Sequence, residues 1–290
     1  MVQCKATGTD KVVNGGVTGG SGTSEVICQA AINACAVINS RLAPYRLQQG
    51  DNRGSKLSRD DWTRLLKSLP SDVSLNAEGW YSPTANPNNQ EFQYFVYGAC
   101  VSEIEMNVLT GEVHVLASEI VYDCGQSLNP AVDIGQIEGG LMMGLGYFLQ
   151  EEITYDNTTA GLKNIGTWEY KPPNAQDVPS VFNVTLMKDM YNTDGILGSK
   201  ATGEPPYILA NSIFFACKMA IDSARSQSAQ VQSRRGGNSM PYLQLSAPLT
   251  IDQRQQACMN DDMVTFNTHK KNGRTPYTNN ANIKKYVLPC

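Results

Sequence analysis

Apolar residues recur every three or four positions in three long stretches of the chain, which is the spacing of helices with one buried face. These stretches predict helices over residues 24–42, 133–150 and 206–225. Apolar and polar residues alternate over 102–108 and again over 113–122, which predicts a β-hairpin. Shorter patterns predict helices over 61–69 and 250–258 and strands over 153–156, 167–171 and 181–187. The predicted fold class is α+β, with helices packed against antiparallel or mixed sheets.

A glycine-rich loop, NGGVTGGSGTSE, precedes the first predicted helix at residues 14–25. A loop of this kind at a helix N-terminus offers N–H groups and the positive end of the helix dipole to an anion. A flexible turn has the same composition, and the local sequence leaves both interpretations open. We expect Pro44 to end this helix. Its expected buried positions are Val26, Ile27, Ala30, Ala31, Ala34, Val37 and Ile38, with Cys28 and Cys35 as buried small hydrophobes.

The second predicted helix is unusually rich in glycine. Asp133 is its expected N-cap, and Gln136 three residues later would complete a capping box. Each glycine inside a helix costs about 1 kcal/mol relative to alanine, so a close approach by backbone or by a bulky ligand must offset that cost. Tight helix packing and ligand binding both explain the pattern. The glycines are Gly135, Gly139, Gly140, Gly144 and Gly146.

A single carboxylate, Glu204, stands directly before Pro205-Pro206 and the third predicted helix. Proline is tolerated at the first helical positions, because its missing N–H would have no partner there. An acid in this place is, on local sequence alone, most simply a residue that complements the helix dipole. Lys200 lies four residues earlier. A catalytic role for Glu204 has to be argued from the rest of the chain.

Composition excludes several classes of function. The net charge of −4 leaves no electrostatic footprint for nucleic acid. The longest apolar run noted, 208–221, is interrupted by polar residues, and the N-terminus lacks a hydrophobic signal region, so we expect no membrane contact and a cytoplasmic location. Eight cysteines without a CxxC pair argue against a zinc site or an iron–sulfur cluster within the chain. Two histidines leave little material for a histidine-based metal site or a catalytic triad.

Three segments together resemble the molybdenum hydroxylases, the group of xanthine dehydrogenase and aldehyde oxidase. They are YGACVSEIEMNVLTGEVHVLASEIVYDCGQSLNPAVDIGQ, GQIEGGLMMGLGYFLQEE and SKATGEPPYILANSIFFACKMAIDSAR. Their order and spacing resemble the C-terminal half of the family's molybdopterin-binding region, over roughly residues 5–262. The resemblance therefore implies the second molybdopterin-binding domain over residues 1–262, followed by a polar, basic tail over 263–290.

The resemblance implies a function and a catalytic residue. In this family the dithiolene of a pterin holds molybdenum, so no direct protein ligand to the metal is expected. A metal-bound hydroxide attacks an electron-poor carbon of an aldehyde or a purine-like N-heterocycle, with water as the oxygen source. The family's GEPP element carries a glutamate that acts as general base on that hydroxide, and this residue matches Glu204. A positioned carboxylate is suited to accept that proton.

The resemblance also implies a set of cofactor contacts. Gly19 and Gly20 match small residues of the substrate funnel. The family commonly has glutamine at the position of Met143, and a thioether can barely replace the hydrogen bonds of an amide. The residues that match cofactor-binding positions are Gly20, Ser21, Gly22, Thr23, Gly139, Met143, Gly144 and Lys200.

The family's full-length members also contain iron–sulfur domains, a flavin domain and the first half of the molybdopterin region. We therefore expect iron–sulfur clusters and FAD only in missing segments or in a partner chain. The implied partners are a small-molecule substrate and either a second copy, as a homodimer, or a complementing chain. Two hypotheses remain at this stage: a part of a molybdenum hydroxylase, or a non-catalytic remnant that keeps the fold without a complete cofactor site.

Overall fold

A computed structural model describes residue 3 and residues 5–11, 17–48, 57–82, 93–233 and 244–258. The chain forms two compact units. The first comprises Met1–Phe95 with Asn192–Gly198, and the second comprises Val96–Tyr191 with Ser199–Cys290. The proposed 263–290 tail lies outside the described residues.

The described part of the first unit contains two α-helices, α1 (Thr23–Gln48) and α2 (Arg59–Ser68), and a short 3-10 helix over Ile196–Gly198. A capping box opens α2, since Ser58 Oγ accepts from the Asp61 amide at 3.1 Å and Asp61 Oδ2 accepts from the Ser58 amide at 3.2 Å. The hydrogen bonds to its carboxylate lower the pKa of Asp61. Leu42 of α1 and Leu65 of α2 are the buried core residues of this unit's described part.

Helix α1 differs from its prediction in length and in burial. It continues through Pro44, and its last turn is supported by Arg46, whose guanidinium lies 5.9 Å from the Trp62 ring centre. Ala30 and Ala34 are half-buried, because Gly79 packs directly against them. Within the described residues, little else covers the apolar stripe. Five residues expected to be buried on this helix are exposed: Ile27, Cys28, Ala31, Cys35 and Val37.

Over Thr23–Arg46, α1 has the length and apolar composition of a membrane span, which the sequence-based search for such runs overlooked. Core helices of soluble proteins and signal sequences meet the same criteria, so one helix of this kind is weak evidence for a membrane.

The second unit is built on a three-stranded mixed sheet of order β1-β2-β3, formed by β1 (Gly98–Met106), β2 (Val113–Tyr122) and β3 (Val181–Leu186). The predicted hairpin is confirmed: β1 and β2 are antiparallel, from Gly98 opposite Tyr122 to Met106 opposite Val113, with an irregularity at Glu103/Ile104. Strand β3 is also confirmed, and it runs parallel to β2.

Helices α3 (Pro130–Leu149), α5 (Asn211–Ser233) and α6 (Ile251–Cys258) complete the unit's core, together with a 3-10 helix over Pro205–Ala210. The alternation in β1 directs Ile104 and Met106 inward, as predicted. The unit's largest fully buried hydrophobic side chains are Met106, Ile120, Tyr122, Ile137, Leu141, Leu145, Ile213, Ile221 and Leu249. These residues place the sheet, α3 and α5 around one core, which is the α+β arrangement that the sequence predicts.

Two predicted strands are wrong. Residues Thr167–Tyr170 form a four-residue helix, α4, which ends at Lys171 in the left-handed conformation (φ 61°). Residues 153–156 contribute only a single bridge, between Tyr155 and Leu162. Thr154 and Asp156 bond through their backbones to Lys163 and Gly161, which are close by in the chain, and Trp168 is 84% exposed. Neither segment joins the three-stranded sheet.

The predicted capping box of α3 is also wrong. The helix begins three residues earlier than Asp133, with Asn129 as N-cap and Pro130 in the first turn. The Asp133 carboxylate instead accepts hydrogen bonds from the hydroxyls of Ser127 at 2.5 Å and Thr202 at 3.4 Å. It thereby connects the first turn of α3 to the segment that leads to Glu204.

Arg254 of α6 is a buried cation that closes the core of the second unit. Its Nε donates to the Gly111 carbonyl and its Nη1 to the Leu249 carbonyl, both at 2.7 Å, and a longer bond of 3.4 Å reaches Leu149. Burial lowers the pKa of its guanidinium. One side chain thus satisfies backbone acceptors at the hairpin turn and at the end of α3.

Candidate functional site

The glycine-rich loop lies in the first unit, directly before α1. Gly20 (φ 62°) and Ser21 (φ 55°) are consecutive left-handed residues, and the Gly22 amide closes the turn onto the Gly19 carbonyl at 3.3 Å. A Cβ atom built on Gly19 or Gly20 would meet nothing within 4 Å. Ser21, Gly22 and Thr23 are half-buried. The loop therefore combines open backbone, hydroxyl groups and a helix N-terminus, which suits an anionic group.

Glu204 lies in the second unit, at the N-cap of the 3-10 helix that Pro205 and Pro206 begin. Its backbone is in the helical region (φ −95°, ψ −36°), and its carbonyl accepts from the Tyr207 amide at 3.1 Å. Its side chain makes no capping hydrogen bond to this helix, and the residue is exposed. Capping of the 3-10 helix therefore does not explain why a carboxylate is present at this position.

Lys200 is placed by the end of β2. Its Nζ lies 2.5 Å from Asp123 Oδ2, in a pair whose aspartate side chain is fully buried and whose lysine side chain is 10% exposed. The ammonium also lies 5.3 Å from the centre of the Tyr97 ring. The sequence matched Lys200 to a cofactor position and gave no role to Asp123. A charged residue directly after an apolar strand, in the DCG element, was the available signal.

The glycines of α3 divide into two groups. A Cβ atom on Gly140 would lie 3.0 Å from the Gly203 carbonyl oxygen, and one on Gly144 would overlap the Tyr207 carbonyl oxygen. These two glycines let the Gly203–Tyr207 backbone pack directly on the helix. Gly139 is exposed, and a Cβ atom there would meet nothing within 4 Å. The structure thus explains Gly140 and Gly144 by tight packing, and this packing does not involve Gly139.

Met143 is 60% exposed on α3, and its thioether accepts a hydrogen bond from the Tyr207 hydroxyl at 3.3 Å. The second unit thus gathers α3 and the Lys200–Tyr207 segment into one surface, and Tyr207 is a member of it that the sequence did not identify. The predicted loop residues Gly19–Thr23 belong to the first unit.

Cys124 adjoins this surface but is not suited to act as a nucleophile. It is 1% exposed, and burial, reinforced by the negative charge of Asp133, raises the pKa of its thiol. Within the described ranges, no group of three or more His, Cys, Asp or Glu side chains is arranged to hold a metal ion. What this surface offers is the exposed residue Glu204, an anchored lysine and open backbone.

The chain matches known proteins over most of its length. Residues 1–179 match the family model of the molybdopterin cofactor-binding domain. The chain is 39% identical over 251 residues to probable aldehyde oxidase 3 of Oryza sativa subsp. japonica, covering 86% of this chain and 17% of that protein. It is 36% identical over 248 residues to abscisic-aldehyde oxidase of Arabidopsis thaliana, covering 85% and 18%. It thus spans less than a fifth of the length of these curated relatives.

Solved structures share the fold. CO dehydrogenase from Oligotropha carboxidovorans superposes with a TM-score of 0.62 at 16% identity, covering 89% of this chain and 31% of that chain. At this identity the likeness concerns the fold alone. The family model, which matches more than half of the residues, carries the assignment. The chain therefore belongs to the molybdopterin cofactor-binding domains of the molybdenum hydroxylase family.

Proposed function

We propose that this chain supplies part of the catalytic site of a molybdenum hydroxylase that oxidises aldehydes or purine-like N-heterocycles, with Glu204 as general base. The observation that carries the proposal is the placement of Glu204. Its carboxylate is exposed, makes no capping hydrogen bond, and stands on a backbone segment that packs directly on α3. The match of 251 residues to an aldehyde oxidase is long enough to contain position 204 of this chain.

The residues present fit a molybdopterin cofactor in their donor chemistry. In the first unit, the open loop at Gly19–Thr23 offers backbone N–H and hydroxyl donors, which suit an anionic part of the cofactor. In the second unit, Gly139 leaves open backbone on α3. Met143 offers only a thioether, which already accepts from Tyr207. We therefore assign hydrogen-bonding contacts to the loop within the first unit, and only close-approach or packing contacts to Gly139 and Met143 within the second.

When bound, the cofactor supplies the nucleophilic oxygen, drawn from water, and accepts the electrons of the substrate carbon. The role of the chain is to move and hold a proton. Glu204 would accept a proton from that oxygen, and a general base in this role contributes about 10²–10⁴-fold to the rate. Gly19 and Gly20, which carry no side chains, leave room for a planar substrate to enter.

Other redox groups and partners follow from the same proposal. Iron–sulfur clusters and FAD would belong to other segments of a longer protein or to a partner chain. A complementing chain that carries the first half of the molybdopterin region would complete the site, and a homodimer with a second copy is a separate part of the proposal. The match to a cofactor-binding domain supports this proposal over a non-catalytic remnant.

The test is production of the chain, with the complementing part of an aldehyde oxidase relative, in cells that make molybdopterin. Molybdenum content is measured by mass spectrometry, and turnover of benzaldehyde and hypoxanthine is followed with an artificial electron acceptor. We expect molybdenum near one equivalent and turnover that Glu204→Gln lowers about 10²-fold or more without loss of metal.

The matched control is Glu103→Gln. It makes the same change on strand β1, which is far in sequence from the 3-10 helix that follows Glu204. We expect it to retain turnover. A metal-free complex, or a Glu204→Gln variant that keeps its turnover, would contradict the proposal.

A further inference from the structure

The three residues that follow Gly198 are attached one by one to the end of β2. Ser199 pairs with Gly125 in an isolated antiparallel bridge. The Lys200 amide donates to the Cys124 carbonyl at 2.9 Å. The Ala201 carbonyl accepts from the Tyr122 hydroxyl at 2.9 Å. The path of the backbone into Glu204 is therefore set by four consecutive residues of another part of the chain, 122–125.

The buried pair between Asp123 and Lys200 lies at the centre of this attachment. Asp123 Oδ2 binds the Lys200 ammonium at 2.5 Å, and Asp123 Oδ1 accepts from the Gly125 amide at 2.9 Å. The Asp123 amide donates to the Tyr97 carbonyl at 2.9 Å. A fully buried carboxylate is costly unless a cation and hydrogen bonds compensate it, and both compensations are present here.

A buried pair of this kind is better explained by specificity than by stability. Replacing such pairs with apolar residues is often neutral for stability, whereas removing one partner leaves an uncompensated charge. The pair requires one definite arrangement of residues 77 positions apart in sequence. That arrangement fixes the start of the Ser199–Glu204 segment relative to the sheet.

We infer that Asp123 is a positioning residue for Glu204: through its ion pair with Lys200 it holds the Ser199–Glu204 segment in the conformation that presents the carboxylate. Lys200 accordingly acts first through Asp123. The catalytic consequence rests on the proposed function of Glu204, whereas the mechanical part concerns the segment alone. As a positioning residue, Asp123 contacts neither cofactor nor substrate.

Hydrogen exchange of the full 290-residue chain, followed by mass spectrometry over residues 199–204, tests the mechanical part. We expect Asp123→Asn to accelerate exchange in this segment about a hundred-fold. The substitution leaves a buried ammonium unpaired and weakens the hydrogen bond that the Lys200 backbone amide donates to the Cys124 carbonyl. We expect the double variant Asp123→Asn/Lys200→Met to recover at least half of the lost protection on a logarithmic scale, because no buried charge remains unpaired.

The control is Asp222→Asn, which breaks the partly exposed Lys218–Asp222 pair of α5 in the same unit with the same change in charge. We expect exchange over 199–204 to stay within about two-fold of the original. Peptides around Cys217 report whether the unit remains folded. If Asp123→Asn unfolds the unit, exchange over 199–204 in the double variant, compared with that of the original protein, tests the inference instead. Unchanged exchange in Asp123→Asn, or no recovery in the double variant, overturns the inference.

Failure here is distinguishable from failure of the proposed function. Glu204→Gln should leave exchange over 199–203 unchanged while abolishing turnover of the metal-loaded complex. In that complex, Asp123→Asn should lower kcat about ten-fold or more with little change in KM. If Glu204→Gln proves active, the catalytic role is lost, and the exchange result still stands on its own.

Discussion

The substitution Gly144→Ala tests whether the close packing between α3 and the segment after Glu204 stabilises the second unit. A Cβ atom at this position would overlap the Tyr207 carbonyl oxygen and lie 2.8 Å from the Ala210 Cβ, where ordinary contacts begin near 3.4 Å. The Tyr207 oxygen belongs to the backbone and the Ala210 Cβ to a one-atom side chain, so neither can rotate away. The helix and the Pro205–Ala210 segment must move apart.

Two opposing effects set the magnitude. Alanine is favoured over glycine in a helix by about 1 kcal/mol. Overpacking of a core contact typically costs about 1–3 kcal/mol, and an overlap with backbone belongs at the upper end of that range. We expect a net decrease of about 1–2 kcal/mol in the free energy of unfolding. The same substitution at Gly135, where a Cβ atom meets nothing within 4 Å, should increase it by about 0.5–1 kcal/mol.

Urea denaturation at pH 7, followed by circular dichroism, measures both variants. Labelling of the fully buried Cys217 thiol gives a second measure that reports on the second unit. The two variants carry the same substitution on the same helix, so helix propensity cancels in the comparison. The reasoning is refuted if Gly144→Ala is as stable as the original protein, or if the two substitutions shift stability in the same direction.

Two further predictions concern buried polar groups of the second unit. Burial raises the pKa of Cys217 to about 12 and that of Cys258 to about 11, so both thiols should resist Ellman's reagent at pH 8 in the folded protein, whereas exposed Cys28 should react at once. The folded-state pKa values of both thiols lie above the ordinary thiol value of 9.0. The contribution of the protonated thiols to the free energy of unfolding is therefore complete below pH 9 and is lost as the pH rises toward 11–12. Arg254→Met should lower the free energy of unfolding by about 3 kcal/mol, since it strands buried backbone carbonyls, against about 0.5–1 kcal/mol for Gln255→Ala, whose hydrogen bond is exposed.

Fast labelling of Cys217 in the folded protein would show that α5 is not packed as described. A similar loss of stability in both the arginine and the glutamine variants would show that burial does not govern the cost. The thiol prediction is checked by the rates of reaction with Ellman's reagent in the presence and absence of urea. The prediction for the arginine and glutamine variants is checked by urea denaturation.

Much of the second unit could be predicted from local patterns. The alternation around Ile104 and the apolar spacing around Ile213 reflect burial directly, because each periodicity belongs to one kind of element with one buried face. The capping of α3 could not be predicted in the same way. Asp133 has a residue type suited to capping, yet Ser127 and Thr202 hold its carboxylate, and Pro130 begins the helix earlier.

The first unit shows the limit of such patterns more clearly. The apolar spacing in α1 predicts a buried face, but burial depends on what packs against that face, and Gly79 covers only the part around Ala30 and Ala34. Cys28 and Cys35 follow the helical spacing and are nevertheless exposed. Periodicity indicates which side of a helix is apolar, and it contains no information on the covering element.

The sequence by itself determined the main helices and the hairpin of the second unit, because each depends on residues that are close together in the chain. It also indicated the family, through three separate segments, and through that resemblance it proposed Glu204 as the base. Only the tertiary structure decided that Asp123 pairs with Lys200, that Gly144 serves packing, and that Arg254 satisfies distant carbonyls. These contacts join residues that are far apart in sequence. Their partners depend on the path of the whole chain, which no local pattern of polar and apolar positions encodes.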